Sequence, residues 1–358
     1  MREIIPLNTD WKYVEGFEQA FIEKDFDDSG FVKVDLPHAN KEIPYNYFDE
    51  KMYQFVSCYR KEFEVPVLSG GRRVLLDFEG VMAYAKVYVN SKYAGEHKGG
   101  YTPFSFDITD LVEENKPNLL TVMVDSTERR DIPPFGYVID YLTYGGIYRE
   151  VSLRIVDGVY IDNAHIRTGA VLKDRKSIAA YVYCINTTGI EHRAKMSLVL
   201  KDGDQIVAET TLEAAIGKSS EEVLNIELDG IENIDLWDID SPKLYDAEIR
   251  LESDEFSDTF ATRIGFREAV SKEDGFYLNG RKVKLRGLNR HQSYPYVGYA
   301  MPKRVQRKDA DILKNELGLN IVRTSHYPQS RHFIDRCDEL GLLVLEEIPG
   351  WQHIGDDE

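Results

Sequence analysis

After Gly275 the hydrophobic pattern of this chain changes period, and that change constrains its fold more than any other feature. Upstream the apolar residues alternate with polar ones. Ala85, Val87 and Val89 are separated by Lys86 and Tyr88, the period of a strand with one buried face, and Asn90-Ser91 then offers a turn. Val74–Phe78, Phe104–Ile108 and Leu119–Val124 are further strand candidates, separated by Gly70-Gly71, Gly99-Gly100 and Asn115–Asn118. Many short strands with regular turn signals predict a β-sandwich or jelly roll over residues 1–155. A second all-β block spans 156–268, with strands expected at Ile178–Ile185, Lys195–Leu200, Gln205–Thr211 and Val223–Leu228. Lys201-Asp202-Gly203-Asp204 is its clearest hairpin turn. Its length suits an immunoglobulin-like β-sandwich, although it lacks the Cys…Trp…Cys arrangement of an antibody domain.

Beyond that point the chain reads β-α-β-α-β. Strands are expected at Val283–Leu288, Leu319–Thr324 and Leu342–Leu345. A helix over Arg304–Leu317 would place Val305, Ile312, Leu313 and Leu317 on one face and close at Gly318; a second, capped by Ser330, carries Phe333, Ile334, Cys337 and Leu340 and closes at Gly341. Leu342–Leu345 is apolar throughout, as in a parallel strand buried on both faces. An eight-fold β/α barrel takes roughly 250 residues, and only 84 run from Gly275 to Glu358. Three strands cannot close a barrel, and an apolar third strand would leave an open edge. Residues 269–358 are therefore expected to form the opening of an α/β domain that is incomplete here. A small three-stranded α/β domain docked on the sandwich is the alternative.

The chain carries 62 acidic against 44 basic residues, a formal charge of −18. A field of that sign repels phosphate backbones and anionic lipid heads, so neither nucleic acid nor membrane is expected as a partner. No apolar run approaches the roughly 18 residues of a membrane span, and Met1–Asp10 contains no apolar signal core. Cys58, Cys184 and Cys337 are widely spaced and sit in apolar stretches, which predicts buried free thiols in a reducing cytoplasm. Asn186-Thr187-Thr188 matches a glycosylation sequon and is read as a plain turn.

One segment is far more specific than these patterns. Asn320-Ile321-Val322-Arg323-Thr324-Ser325-His326-Tyr327-Pro328, continuing through Phe333-Ile334, Asp338 and Gly341–Leu345, resembles the first signature of glycoside hydrolase family 2. Upstream, Phe276–Gly280 and Leu285–His291 resemble the family's approach to its barrel, and Trp237…Pro242–Tyr245 with Ile264–Arg267 resemble the end of its immunoglobulin-like domain. Tyr144–Val151 resembles the end of its sugar-binding jelly roll. The resemblance covers nearly the whole chain in the right order. It implies a jelly roll, an immunoglobulin-like sandwich and, over 269–358, the first three β/α units of an incomplete TIM barrel in a β-galactosidase or β-glucuronidase-like enzyme, and a possible homo-oligomer for the full-length parent. The family's second signature holds an Asn-Glu pair with the general acid. The only Asn-Glu here, Asn315-Glu316, falls in the first predicted helix, so the acid/base and the nucleophile are both expected downstream of this chain.

Retaining glycosidases use two carboxyls roughly 5–5.5 Å apart. Glu346 and Glu347 are neighbours on one strand and point to opposite faces, so they fail as that pair. The family pattern makes Glu347 the inward acid of the third strand, in a supporting polar role at the site floor; the alternative is a structural salt bridge with Arg323 or Arg286. By resemblance His291 and His326 line the sugar subsite, against a reading as satisfied structural histidines. An imidazole both donates and accepts hydrogen bonds, as sugar hydroxyls require. Arg323 and Asn289 are read as site scaffold, and Arg323 as a fork able to orient carboxylates. The resemblance assigns Asp140 a reach from the jelly roll into the barrel mouth, where a carboxylate accepts from two hydroxyls; a turn-capping aspartate is the alternative. No cofactor and no metal are expected. Some relatives hold Mg²⁺ through a glutamate two residues before a histidine; here His353 fills the histidine place but Trp351 the glutamate place, and an indole offers no oxygen. Trp351 is left either to stack on a sugar face or to pack. His326, His332 and His353 fit zinc spacing poorly.

The chain is therefore expected to be the N-terminal fragment of a retaining β-glycosidase acting on terminal β-D-galactosides, or β-glucuronides, and to be inactive alone. A non-catalytic carbohydrate-binding module and one half of a split enzyme are the alternatives.

Overall fold

A computed structural model describes residues 2–44, 46, 49–135 and 139–350. The first unit is a sandwich of two antiparallel sheets. One has strands Val32–Val34, Trp11–Glu15, Val56–Glu64, Pro117–Asp125, Tyr84–Val89 and Lys92–Lys98 in that spatial order; the other runs Glu3–Pro6, Val151–Val156, Arg73–Phe78, Phe104–Asp107. The inward residues of the alternating pattern, among them Trp11, Leu76, Val87, Val122 and Leu153, form one core between the sheets. Burying each such side chain is worth about 1.5–3 kcal/mol. Asn90 and Ser91 turn the 84–98 hairpin with φ of +50° and +64°, the left-handed pair of a tight two-residue turn.

The second unit is a seven-strand sandwich. Val159–Gly169, Lys176–Asn186 and Ser220–Ile231 face Gln205–Ile216, His192–Asp202, Tyr245–Glu252 and Ser257–Ile264. Asn186 ends its strand and ties the bend that follows: its buried amide donates to the carbonyls of Ile190 at 2.9 Å and Gly217 at 2.7 Å, and its Oδ1 accepts from the Thr188 amide. That side chain has no room for a glycan. The three cysteines are buried and free, and burial pushes each thiol up to about 12.

The tail holds three parallel strands, β1 (Gly287–Arg290), β2 (Ile321–Thr324) and β3 (Leu343–Leu345), with α1 (Lys303–Asp311) and α2 (Arg331–Leu340) in the connections. Ser330 caps α2 by accepting from the His332 amide, and Gly341 ends it at φ +74°. Ala310, Leu313, Val322, Phe333 and Cys337 form the core between sheet and helices.

Three expectations need correction. Val283–Leu288 is not one strand: Arg281–Val283 pairs antiparallel with Gly275–Leu278, and β1 begins only at Gly287. Asn279 and Gly280, both at positive φ, fold the chain into a hairpin that continuous apolar patterning hides. The first helix is not uniformly α. It widens into a π-helical stretch over Ile312–Glu316, which rotates Leu317 out of the apolar face to 53% exposure while Leu313 stays buried. β3 is buried on both faces only at its start, where Leu343 packs with Trp237 and Leu278. Leu345, in register with Asn289 and Arg323 on the face away from the helices, is 54% exposed.

The units are tied by buried polar contacts. Asp258 of the second sandwich accepts from Arg2 and from the Ile161 amide. Trp237, fully buried, donates from Nε1 to the Asp338 carbonyl of α2 at 2.8 Å, under the Arg267 guanidinium. Lys314 donates to the carbonyls of Ile239 and Gly341. Between jelly roll and barrel, Arg149 donates to the carbonyls of Glu79, Tyr101 and Pro328 and to Gln292 Oε1, while Glu150 meets His332 at 2.8 Å. Among the described residues no helix is long and apolar enough to cross a membrane.

Candidate functional site

The barrel strand tips set the site. On β1 the side chains alternate across the sheet. Arg290 lies among the helices, 6% exposed over the Phe333 ring, donating to Asp309 and to the side chains of Gln306 and Gln329. That clamp fixes the tip from which His291 leaves the strand. The His291 Nδ1 lies 3.2 Å from the Tyr327 hydroxyl, and its ring packs edge-on against His326 at 5.4 Å. Burial lowers its basicity first, and the His326 ring and Arg323 lower it further against the pull of Asp140. His291 is therefore a neutral imidazole near pH 7.

Past β2, Ser325-His326 joins through a cis peptide. His326 Nδ1 is 2.9 Å from Glu347 Oε2, and Arg323 forms an ion pair with Glu347 Oε1. Burial alone would raise the Glu347 carboxyl, but the bonds from His326 and Arg323 outweigh it and hold it below the usual range. An ionised Glu347 only accepts, so Nδ1 of His326 carries the proton and donates. The partner of Glu347 is thus Arg323 and not Arg286. A carboxylate held ionised in this way cannot serve as a general acid. Glu346 lies on the other side, in the field of Arg149.

The jelly roll contributes the segment 139–144. Thr143 donates its amide to the Tyr53 hydroxyl at 3.2 Å, and the rings of Tyr53 and Tyr144 stack at 5.8 Å. Tyr141 lies 5.3 Å from the His291 ring and 5.6 Å from that of His326. An open pocket of about 350 Å³ results, with Glu50, Asp140, Tyr141, Tyr144, His291 and Tyr299 on its wall. Asp140 and His291 share that wall. His326 and Glu347 are not on that wall: His326 packs against the rings of Tyr141 and His291, and Glu347 is bonded to His326. Asn289 is exposed in register with Arg323, and its side chain makes no hydrogen bond to another described residue. Trp351 and His353 lie outside the described residues. Among the described residues no group of three His, Cys, Asp or Glu side chains is placed to hold a metal ion.

Sequence reasoning missed the cluster of tyrosines on and around this pocket wall. Tyr101 stacks on Tyr327 at 4.3 Å and 8°, and Tyr299 packs against Tyr327, Tyr144 and Tyr148. They come from a jelly-roll loop and from two barrel loops, so no local pattern joins them; the run Tyr141, Tyr144, Tyr148 was the available signal. Burial pushes Tyr141 up to about 12 and Tyr101 and Tyr299 further still, so these phenols stay neutral. Glu50 was also missed. Neutral imidazole, neutral phenols and an unneutralised carboxylate together offer the mixed donor and acceptor surface that polyhydroxylated ligands need.

Three family models match in chain order: "Glycosyl hydrolases family 2, sugar binding domain" over 16–156, "Glycosyl hydrolases family 2" over 159–267, and "Glycosyl hydrolases family 2, TIM barrel domain" over 269–355. A β-galactosidase of Thermoanaerobacterium thermosulfurigenes is 53% identical over 100% of this chain and 50% of its own length. One from Thermoanaerobacter pseudethanolicus is 48% identical over 99% and 48%. Among solved structures, a β-glucuronidase of Bacteroides uniformis superimposes with a TM-score of 0.90 at 29% identity, covering 98% of this chain and 42% of that one. The chain spans about half the length of the curated relatives it matches.

Proposed function

The chain belongs to glycoside hydrolase family 2, and from that premise we propose that it is the sugar-holding N-terminal half of a retaining β-glycosidase acting on terminal β-D-galactosides or β-glucuronides of small glycosides. The observation that carries this reading is the shared wall of Asp140 and His291, which joins a jelly-roll loop to a barrel strand tip around one pocket. In it, Asp140 accepts from two hydroxyls of the terminal sugar, with His291 and His326 as neighbouring partners. Arg323 and Asn289 act as scaffold, and Glu347 orients His326 from behind. The nucleophile and the acid/base come from carboxyls outside these 358 residues. The units divide near residues 155 and 268. The buried free thiols favour a cytoplasmic parent, and a homo-oligomeric parent is part of the same reading.

The test is turnover of a chromogenic β-galactoside. The 358-residue chain alone is expected to show none, and the same chain continuous with the rest of its barrel is expected to turn over. Turnover at a comparable rate by the chain alone would overturn the assignment of the reacting carboxyls.

A further inference from the structure

The pocket wall carries a second carboxylate besides Asp140. Glu50 opens the short 3₁₀ turn Glu50–Met52, where the Lys51 amide donates to Asp49 Oδ1 at 3.0 Å. The Tyr53 amide donates to the Glu50 carbonyl at 3.2 Å, and Tyr53 in turn stacks on Tyr144. The Tyr53 phenol is raised by burial first, and the Glu50 charge adds to that shift. Glu50 is thus held by the same aromatic pair that positions the Asp140 segment. It is half-buried and lines the pocket together with Asp140 and His291.

Nothing described neutralises these two acids. Neither side chain has an ion pair or hydrogen bond with another described residue. The described wall holds no lysine or arginine. The nearby cations are committed elsewhere: Arg129 to Asp131 and Asp125, Arg323 to Glu347, and Arg149 to backbone carbonyls. His291 is neutral, as argued above.

We propose that Glu50 is a specificity-determining residue which, with Asp140, sets this pocket against acidic sugars, so that it takes neutral terminal β-glycosides and rejects uronosides. This rests on the reading of the pocket as the terminal-sugar site. A neutral hexose offers hydroxyl donors to both acceptor-only carboxylates. A uronate brings a group that cannot donate and adds a third negative charge to a pocket whose described wall holds no lysine or arginine. Selectivity then comes from an unfavourable contact with the wrong ligand as much as from bonds to the right one.

The experiment uses the chain continuous with the rest of its barrel, and reads kcat/KM for matched chromogenic β-galactoside and β-glucuronide. Glu50→Gln keeps the shape and removes the charge. The glucuronide-to-galactoside ratio is expected to rise at least tenfold, mainly through the KM of the glucuronide. In the unaltered enzyme the same ratio should climb as ionic strength goes from about 0.01 to about 0.15 M, because screening shortens the reach of the repulsion from ~30 to ~8 Å. A ratio unmoved both by Glu50→Gln and by salt overturns the role of Glu50. Failure of the underlying site reading has a separate signature: Asp140→Asn would leave turnover of both sugars intact.

Discussion

Replacing Arg149 by methionine removes the guanidinium that joins the jelly roll to the barrel. The side chain is 7% exposed and donates to three carbonyls, those of Glu79 at 3.3 Å, Tyr101 at 3.2 Å and Pro328 at 2.8 Å, and to Gln292 Oε1 at 3.2 Å. Hydrogen bonds to a charged group contribute about 1.5–3 kcal/mol each, and the longer ones here belong at the low end. Against that, methionine keeps the apolar stem contacts and removes the desolvation cost of a buried cation. The net loss is about 3 kcal/mol. For a cooperative unit of 150–250 residues that corresponds to a fall of about 9 °C in the midpoint of the affected transition. Differential scanning calorimetry reads the midpoint, and hydrogen exchange at the amides of 291–299 reads the loosened contact. Arg149→Lys should lose most of the same stability, because one ammonium cannot span four acceptors set around a planar fork. A shift below about 2 °C for Arg149→Met would refute the reasoning.

Two further outcomes follow from the other joints. Trp237→Ala should cost about 3–5 kcal/mol in the denaturation midpoint of the second sandwich and tail, since it empties a fully buried ring site and leaves the Asp338 carbonyl without its donor; a change below about 1 kcal/mol would contradict the packing argument. Glu339 sits between Arg263 of the second sandwich and Arg307 and Arg336 of the barrel helices. Burial would raise its carboxyl, but the three guanidinium groups outweigh that and bring it from an ordinary 4.5 down to about 2. A carboxyl depressed in the folded state contributes stability that is complete above its unfolded value and fades as pH falls through the folded one. The stability gap between the unaltered chain and Glu339→Gln should therefore be constant above pH 4.5 and close between pH 4.5 and about 2. A gap that persists unchanged at the acid end would show that the arginines are not what Glu339 contributes.

The sandwiches were legible because alternation is a local property. Ala85, Val87 and Val89 bury one face of Tyr84–Val89 as their spacing requires, and the Lys201–Asp204 turn closes the pair Asp202↔Gln205. Ser330 and Gly341 bracket α2 by the chemistry of helix ends. The misreadings arose where apolar composition is ambiguous between geometries. Val283–Leu288 is apolar enough for one strand, yet the hairpin at Asn279-Gly280 takes its first residue, and Leu317 fits a helical face that a wider turn then rotates away. At the site, resemblance supplied Asp140, His291, His326 and Glu347, and the structure puts the first two on one pocket and the last two in one hydrogen-bonded group behind it. The tyrosine box and Glu50 were not legible. They join segments far apart in sequence, as with Tyr101 and Tyr327 or Glu50 and Asp140.

The most direct measurement is where a terminal β-galactoside sits when bound to this chain continuous with the rest of its barrel. The account predicts the sugar ring between the 139–144 segment and the tips of β1 and β2, with two of its hydroxyls within about 3 Å of the Asp140 carboxylate. A sugar ring bound away from that pocket, with Asp140 facing solvent, would contradict it.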